Sequence, residues 1–321
     1  VALQIAPMFH ANSWGVPFTA AMVGAKLVLP GPHLDPESLL DLMERERVTV
    51  ACAVPTVWIN VLETLEKNPG RWRFTRPVRV PVGGSAPPEA LMRGLDRHGM
   101  ELIHLWGMTE STPLATVSRL KTYMEDWPPE KKYEVRLKQG IPVPFVELRI
   151  MRPEGEAPWD GKTVGELEMR GPWVASGYHN APEEQHRWTP DGWFRTGDMA
   201  SMDAEGYIKI ADRAKDLIKS GGEWISSVDL ENALMGHPAV KEAAVIAAPH
   251  PKWQERPLAV VVLKDGAQVT AEELRTHLAQ TFAKWQLPDA FVFEKQIPRT
   301  SVGKFQKTKL RERFANWKWE V

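Results

Sequence analysis

Charged side chains and a glycine pair are concentrated in the segment 212–224 of this 321-residue sequence. Cations on a connecting loop can bind anions such as phosphate, and paired glycines weaken any helix or strand that they interrupt. We therefore interpret the segment as a joint beside a site that handles anions, with a solvated turn between two domains as the alternative. The residues concerned are Arg213, Lys215, Asp216, Lys219, Gly221 and Gly222.

The single cysteine of the sequence, Cys52, does not have the setting of a nucleophile. It lies in the apolar run 50–54, which indicates a packed core thiol. No convincing Ser-His-Asp or Cys-His pairing is present elsewhere. A lone cysteine also rules out internal disulfides and favours a reducing, cytoplasmic setting.

The composition is that of a soluble globular protein long enough for two domains. Hydrophobic residues make up 43% and charged residues 25%, and a net charge of −1 gives no basic surplus for nucleic-acid binding. The longest apolar run, 14–25, is short for a bilayer span, and we expect no transmembrane segment. Fourteen tryptophans indicate large apolar surfaces, with an apolar ligand site among the options.

The elements that must position the charged segment alternate between strand and helix up to about residue 120. The spacing of Leu39, Leu40 and Met43, after Asp35 as N-cap, is that of a helix. Such alternation predicts an α/β fold with a largely parallel sheet and ligands at the carboxyl ends of its strands. We predict strands at 1–6, 26–29, 48–54, 78–82 and 101–106, and helices at 36–47, 56–66 and 88–98.

The pattern changes further along the chain. Short strands at 145–151, 165–170 and 207–210, separated by turn residues, predict a β subdomain over 135–211. A compact α+β unit follows the joint, with one helix capped by Ser226 or Ser227 and another by a Thr270–Glu273 capping box. We expect its strands at 240–248, 258–263 and 290–293, and we predict a large domain over 1–211, a hinge over 212–217 and a mobile domain over 218–321.

Five motifs resemble, in their order, those of the adenylate-forming superfamily of acyl-CoA synthetases, luciferases and peptide-synthetase adenylation domains. The sequence of 218–226 is most similar to that of the medium- and long-chain fatty acyl-CoA synthetases. The resemblance covers the whole chain but lacks the family's opening part with its phosphate loop. Because Val1 begins directly in a strand-like run without an initiator Met, we interpret the sequence as the later part of a longer protein. The motifs are 7–10, 83–87, 106–110, 192–198, and the segment 212–224 together with Lys304.

The resemblance implies a reaction in two halves. A fatty acid carboxylate attacks the α-phosphate of ATP to give acyl-AMP, and the thiol of coenzyme A then displaces AMP. ATP, coenzyme A and Mg²⁺ are therefore the implied co-substrates and cofactor. Two alternatives stay open, namely another acid–CoA ligase such as an aryl-CoA ligase, and an inactive fragment that binds nucleotide or acyl-adenylate. The oligomeric state is also open, with a homodimer of the full-length protein among the options.

The resemblance assigns roles to residues of the first half-reaction. Glu110 matches the Mg²⁺-associated glutamate, Thr109 a phosphate-contacting threonine, and Lys304 the lysine that touches the carboxylate and the α-phosphate. Asp198 matches the aspartate that accepts hydrogen bonds from the ribose hydroxyls. The adenine region is matched by Gly83, Gly84, Ser85, His104, Leu105 and Trp106, the last replacing the tyrosine usual in this motif.

Further roles concern the acyl end and the joint. His10, with Ala11 beside it, matches an aromatic or histidine gate, and Trp14 is either a gate for the alkyl chain or a core residue. In the joint, Arg213 is assigned to the nucleotide, Lys215 to the pivot and Lys219 to the second half-reaction. Trp224, Gly221 and Gly222 are assigned to the passage for nucleotide or coenzyme A, with packing as the alternative for Trp224.

Overall fold

The computed structural model describes residues 1–213, 216–221, 223–301 and 303–319. The chain forms two compact units, one of Val1–Thr196 with Ser201–Lys209 and the other of Gly197–Ala200 with Ile210–Val321. The division into 1–211, 212–217 and 218–321 stays a prediction. Lys215 and Gly222, to which the sequence assigned the pivot and part of the passage, lie outside the described residues.

The largest sheet of the first unit contains seven strands in the order β2-β1-β3-β4-β5-β6-β7. Its first five strands are parallel, whereas β6 and β7 are antiparallel to their neighbours. This confirms the predicted α/β class with a parallel-rich sheet. The strands are β1 (Ala2–Gln4), β2 (Leu27–Val28), β3 (Val50–Cys52), β4 (Val78–Val82), β5 (Met100–Trp106), β6 (Thr116–Val117) and β7 (Ile141–Pro142).

Three helices of the first unit that pack on its sheet, α3, α4 and α5, each bury an apolar side. Asp35 caps α3 by accepting a hydrogen bond from the Ser38 amide at 2.9 Å, as predicted, and Leu39, Leu40 and Met43 are fully buried. The α1, α2 and α6 helices were not predicted. The helices are α1 (Ala11–Trp14), α2 (Val16–Met22), α3 (Pro36–Arg45), α4 (Pro55–Lys67), α5 (Glu89–Arg97) and α6 (Pro129–Leu137), with short 3₁₀ turns at Thr109–Ser111, Thr122–Met124 and Pro182–Arg187.

A second sheet has the strand order β12-β11-β10-β8-β9. The predicted strand at 145–151 begins two residues later, because Phe145 has a left-handed φ of 69°. The strand predicted at 207–210 continues to Arg213, so the start of the predicted joint is ordered strand. The strands are β8 (Glu147–Arg152), β9 (Gly155–Glu156), β10 (Gly165–Arg170), β11 (Phe194–Met202) and β12 (Ile208–Arg213).

The third sheet, in the second unit, has apolar residues on both faces. Successive residues of its central strands alternate between two clusters, one beneath α7 and α8 and the other beneath α9. Ser226 caps α7, and Thr270 with Glu273 forms the predicted capping box of α8. The elements are β13 (Ile218–Ser220), β14 (Glu223–Ile225), α7 (Ser227–Met235), β15 (Val240–His250), β16 (Gln254–Leu263), α8 (Ala271–Ala279), β17 (Ala290–Phe293) and α9 (Lys307–Arg313), with a 3₁₀ turn at Lys284–Gln286.

No helix among the described residues is long and apolar enough to cross a membrane. The apolar run 14–25 contains the last residue of α1 and the seven-residue helix α2, which ends at Met22.

Candidate functional site

The carboxyl ends of β4 and β5 bring two of the predicted segments side by side. The strands are parallel neighbours, with Val82 opposite His104. Gly83 follows β4 so closely against β5 that a Cβ there would lie 3.2 Å from the Leu105 carbonyl oxygen. Gly84 has a φ of 86°, which favours glycine. The segments 83–85 and 104–106 therefore form one edge, at the end of a parallel sheet where ligands bind.

The turn after β5 is fixed by close backbone contacts. A Cβ on Gly107 would lie 1.8 Å from the Pro113 carbonyl oxygen, so no larger residue fits. The buried Ser111 hydroxyl accepts a hydrogen bond from the Met108 amide at 3.0 Å and donates to the Pro113 carbonyl at 2.8 Å. These contacts hold the 3₁₀ turn that carries Thr109 and Glu110. Sequence reasoning missed Ser111, for which its place directly after Glu110 is the only signal.

The Glu110 carboxylate is held by a tyrosine that the sequence did not single out. The Tyr178 hydroxyl donates to Oε1 of Glu110, and the Glu110 carbonyl accepts the Ala175 amide at 2.8 Å. Burial, together with Glu110, raises the pKa of Tyr178 to about 12, so the phenol stays a donor. The Tyr178 ring packs edge-on against Trp188, with centroids 5.3 Å apart. Glu110 is thus oriented before any ligand arrives.

The oxygen donors at this turn fit a magnesium ion of the kind that accompanies a nucleotide. Glu110 offers a carboxylate and Thr109 an exposed hydroxyl. Mg²⁺ usually binds to one or two carboxylates, substrate phosphates and several waters, not to a closed protein cage. The described residues contain no group of three or more His, Cys, Asp or Glu side chains that could hold a metal. The protein part of a magnesium site here would therefore consist of Glu110 and Thr109.

His104 is buried within the first unit. Its Nδ1 lies 2.9 Å from the Leu137 carbonyl oxygen, and since a carbonyl only accepts, Nδ1 is the donor. Burial lowers the pKa of His104 to about 4, so the ring is neutral. Its assignment to the adenine region, like that of Leu105 and Trp106, stays a prediction.

Four consecutive non-glycine residues, Ala11–Trp14, have left-handed backbone angles, with φ between 45° and 55°. Each such residue costs roughly 1–2 kcal/mol. The turn is held by the buried Ser13 hydroxyl, which donates to the Ala6 carbonyl at 2.6 Å. Strained backbone of this kind clusters at functional sites. His10, Ala11 and Trp14 are all partly exposed, and their gate roles stay predictions.

Three predicted site residues from separate parts of the sequence lie together in the second unit. Nε of Arg213 lies 3.2 Å from Oδ1 of the buried Asp198. Burial and the charge of Arg213 lower the pKa of Lys304, and the Asp198 carboxylate opposes that shift. A carboxylate beside two cations can accept hydrogen bonds from neighbouring hydroxyls while the cations bind a phosphate.

The loop that carries Lys304 is closed by its own backbone. The Thr300 amide donates to the Lys304 carbonyl at 2.8 Å, and the Gln306 amide donates to Pro298 at 2.8 Å. Gly303 has a φ of 85°, which allows the turn. The glycine before the lysine therefore sets the backbone direction at Lys304.

Lys219 and Trp224 form an exposed pair on the hairpin of β13 and β14. They lie directly opposite each other, and the Lys219 ammonium is 5.0 Å from the centroid of the indole. Trp224 is 51% exposed, so the core-packing alternative accounts for only part of its surface. Gly221 lies against Trp253, since a Cβ there would come within 2.9 Å of its ring.

Comparisons with known proteins identify the family of the chain. The model of the AMP-binding enzyme family matches residues 1–179, and that of the AMP-binding enzyme C-terminal domain matches 229–304. The chain is 53% identical to a long-chain-fatty-acid–CoA ligase of Thermus thermophilus over 99% of its own length and 59% of that protein. It is 45% identical to a medium-chain-fatty-acid–CoA ligase of Ectopseudomonas oleovorans, over 98% of this chain and 57% of that one.

A solved structure gives the same result for the fold. The crystal structure of ATP-bound MatB from Rhodopseudomonas palustris superposes with a TM-score of 0.81 at 28% identity, covering 98% of this chain and 60% of that one. The chain thus spans less than two thirds of the relatives that it matches. Since the family model covers more than half of its residues, the chain belongs to the AMP-binding enzyme family.

Proposed function

We propose that the protein activates a fatty acid with ATP and transfers the acyl group to coenzyme A. The observation that carries the proposal is the group formed by Asp198, Arg213 and Lys304. It combines an acceptor suited to a ribose with two cations suited to a phosphate. The chain's similarity to two fatty-acid–CoA ligases supports the same reaction.

In the first half-reaction, a carboxylate oxygen bonds to the α-phosphorus of ATP, and the bond from that phosphorus to the pyrophosphate oxygen breaks. Both reactants are anions, so catalysis requires positioning and cationic stabilisation. Lys304 binds the carboxylate and the α-phosphate, Arg213 binds the ribose or phosphate, and Asp198 binds the ribose hydroxyls. Mg²⁺ held by Glu110 and Thr109 would neutralise charge that develops on the pyrophosphate.

In the second half-reaction, the thiol sulfur of coenzyme A bonds to the acyl carbon. The bond from that carbon to AMP breaks, and the thiol proton is released. Lys219 contacts the adenylate at this stage, and Trp224 with Gly221 lines the passage. Lys215 is the pivot that exchanges Lys304 for Lys219 between the two half-reactions.

The fatty acid is the proposed substrate because the segment 7–14 combines apolar side chains with a strained turn. Trp14 is the proposed gate for the alkyl chain. An aryl acid would need a flat, closed pocket, whereas an alkyl chain needs an open channel past the gate. The two substrate classes can therefore be distinguished directly.

The test is ATP–pyrophosphate exchange by the complete gene product, with straight-chain acids of increasing length and a matched set of aryl acids. We expect exchange to rise with chain length, and replacing Trp14 by Ala to change that dependence. Exchange with aryl acids alone would overturn the fatty acid assignment. Calorimetry of the 321-residue chain with a non-hydrolysable acyl-AMP analogue tests binding separately.

A further inference from the structure

A buried polar cluster in the second unit has no role in the reaction as described above. The Lys307 ammonium lies 2.7 Å from Oε1 of Glu231 and donates to the Ser227 hydroxyl at 2.5 Å. That hydroxyl in turn donates to Oδ2 of Asp212 at 2.5 Å, and the Ser227 amide donates to the same oxygen at 2.9 Å. We call these four residues, Asp212, Ser227, Glu231 and Lys307, the lysine cluster.

The lysine cluster is almost completely shielded from water. The side chains of Lys307 and Glu231 are 11% and 9% exposed. Burial disfavours the charged ammonium of Lys307, but the charges of Glu231 and Asp212 outweigh that effect and raise its pKa. Replacing a buried ion pair by apolar residues is often neutral or stabilising, so stability alone is a weak reason for such a cluster.

Its position in the chain gives a better reason. Lys307 is the first residue of α9 and comes three residues after Lys304. Asp212 directly precedes Arg213, and its Oδ1 accepts a hydrogen bond from the Arg213 backbone amide at 2.8 Å. The lysine cluster thus joins the two backbone segments that carry the two cations of the candidate site.

The other end of the Lys304 loop is anchored separately. The Arg299 guanidinium binds the buried Glu242 of β15 and donates to the Gly303 carbonyl at 3.1 Å. That anchor ties the loop to the sheet but makes no described contact with Asp212 or Arg213. Lys307 links the loop to Asp212 at the end of β12 through Ser227. The next turn of α9 adds a second link, in which Arg311 binds Asp216 and the Asp216 amide donates to the Arg213 carbonyl at 2.8 Å.

We propose that Lys307 is a positioning residue, which acts through Asp212 and Glu231 to fix the distance between Lys304 and Arg213. The proposal rests on the proposed function, in which both cations act on one nucleotide. When Lys307 is removed, the link through Arg311 and Asp216 remains, but the buried contact next to Lys304 is lost and the distance between the two cations is less tightly fixed. Misplacing a positioned group by about 1 Å costs roughly 10²-fold in rate. Substrate binding through Arg213 and Asp198 is retained.

The kinetic experiment compares Lys307→Met with the wild type in the complete gene product. We expect kcat for acyl-AMP formation to fall by about 10²-fold, with KM for ATP changed by a few fold. Thioester formation from supplied acyl-AMP stays near the wild-type rate, because Lys219 lies on β13, outside the lysine cluster. Lys307→Arg restores part of the lost activity, since it keeps a cation at the same position.

Leu310→Ala is the matched control for loss of stability. Leu310 lies on the same helix and is fully buried, but it belongs to the apolar cluster beneath α9. Its replacement destabilises the unit without touching the lysine cluster. If Leu310→Ala lowers adenylation as much as Lys307→Met does, or if Lys307→Met adenylates normally, the proposal is wrong.

A second measurement does not depend on activity. Amide hydrogen exchange should accelerate in Lys307→Met both within 298–306 and at the Arg213 amide, and in Leu310→Ala it should not accelerate at Arg213. If hydrogen exchange accelerates in the Lys304 loop but not at the Arg213 amide, Lys307 does not couple the two segments and the proposal is wrong. A wild-type protein that forms no acyl-AMP with any acid would refute the proposed function. Amide hydrogen exchange would still show whether Lys307 couples the Lys304 loop to the end of β12.

Discussion

The two units hold their candidate site residues by different physical means. In the first unit, backbone atoms set the geometry, as at Gly83 and Gly107, where strand ends and turns leave no room for a side chain. In the second unit, ion pairs set it, as between Arg213 and Asp198 and within the lysine cluster. Geometry set by backbone contacts is rigid, whereas geometry set by ion pairs responds to charge and pH. The first arrangement suits a fixed binding edge, and the second suits the proposed exchange of Lys304 for Lys219.

Lys304→Ala should give the largest effect on activity. Without this cation, acyl-AMP formation is expected to fall by about 10³-fold, while thioester formation from supplied acyl-AMP is retained. Lys219→Ala should give the reverse pattern. Single-turnover assays of each half-reaction measure both. Equal loss in both half-reactions for either variant would contradict the separate roles.

Gly107→Ala tests the backbone-set geometry of the first unit. A Cβ would lie 1.8 Å from the Pro113 carbonyl oxygen, and neither backbone segment can move without breaking the turn. We expect a loss of about 3 kcal/mol in the free energy of unfolding, measured with denaturant. Gly177→Ala is the control, because a Cβ there meets nothing closer than Oε1 of Gln185 at 3.8 Å. Similar losses in both variants would show that Gly107 is not special.

Glu231→Gln tests the pH response of the second unit. Burial raises the pKa of Glu231 from 4.5 to about 7, although the charge of Lys307 opposes the shift and that of Asp212 adds to it. Between pH 4.5 and about pH 7, Glu231 therefore holds a proton in the folded protein that it has lost in the unfolded chain. This contribution to stability is fully present below 4.5 and is lost as pH rises through about 7.

Denaturant unfolding of the wild type and of Glu231→Gln at several pH values measures how the stability of each depends on pH. The wild type should lose stability relative to Glu231→Gln as pH rises from about 4.5 to about 7. Parallel pH curves for the two proteins would show that Glu231 does not titrate in this range.

Tyr178→Phe should give the smallest effect. It removes one hydrogen bond to the Glu110 carboxylate but keeps the packing against Trp188. We expect the Mg²⁺ concentration required for half-maximal acyl-AMP formation to rise by about tenfold, because a bond to a charged group contributes about 1.5 kcal/mol. Trp188→Phe controls for the packing. An unchanged Mg²⁺ requirement in Tyr178→Phe would remove its orienting role.

Local sequence signals predicted much of the fold. Apolar periodicity gave the parallel strands and α3, α4 and α5, and side-chain chemistry gave the caps at Asp35 and Thr270. The sequence signals did not predict α1, because its four non-glycine residues have left-handed backbone angles that such residues normally avoid. They also placed the end of β12 too early, because charged residues such as Asp212 are typical of loops unless a distant partner compensates for their burial.

The sequence by itself determined the α/β class, the order of the motifs and most residue types of the candidate site. These follow from short-range residue periodicity and from sequence motifs, both of which can be recognised in the linear sequence. Only the tertiary structure decided which residues hold the candidate site residues in place. Tyr178 lies 68 residues from Glu110, and Lys307 lies 80 residues from Ser227. Such contacts depend on how distant elements pack, and an isolated tyrosine or lysine in a sequence carries no sign of its partner.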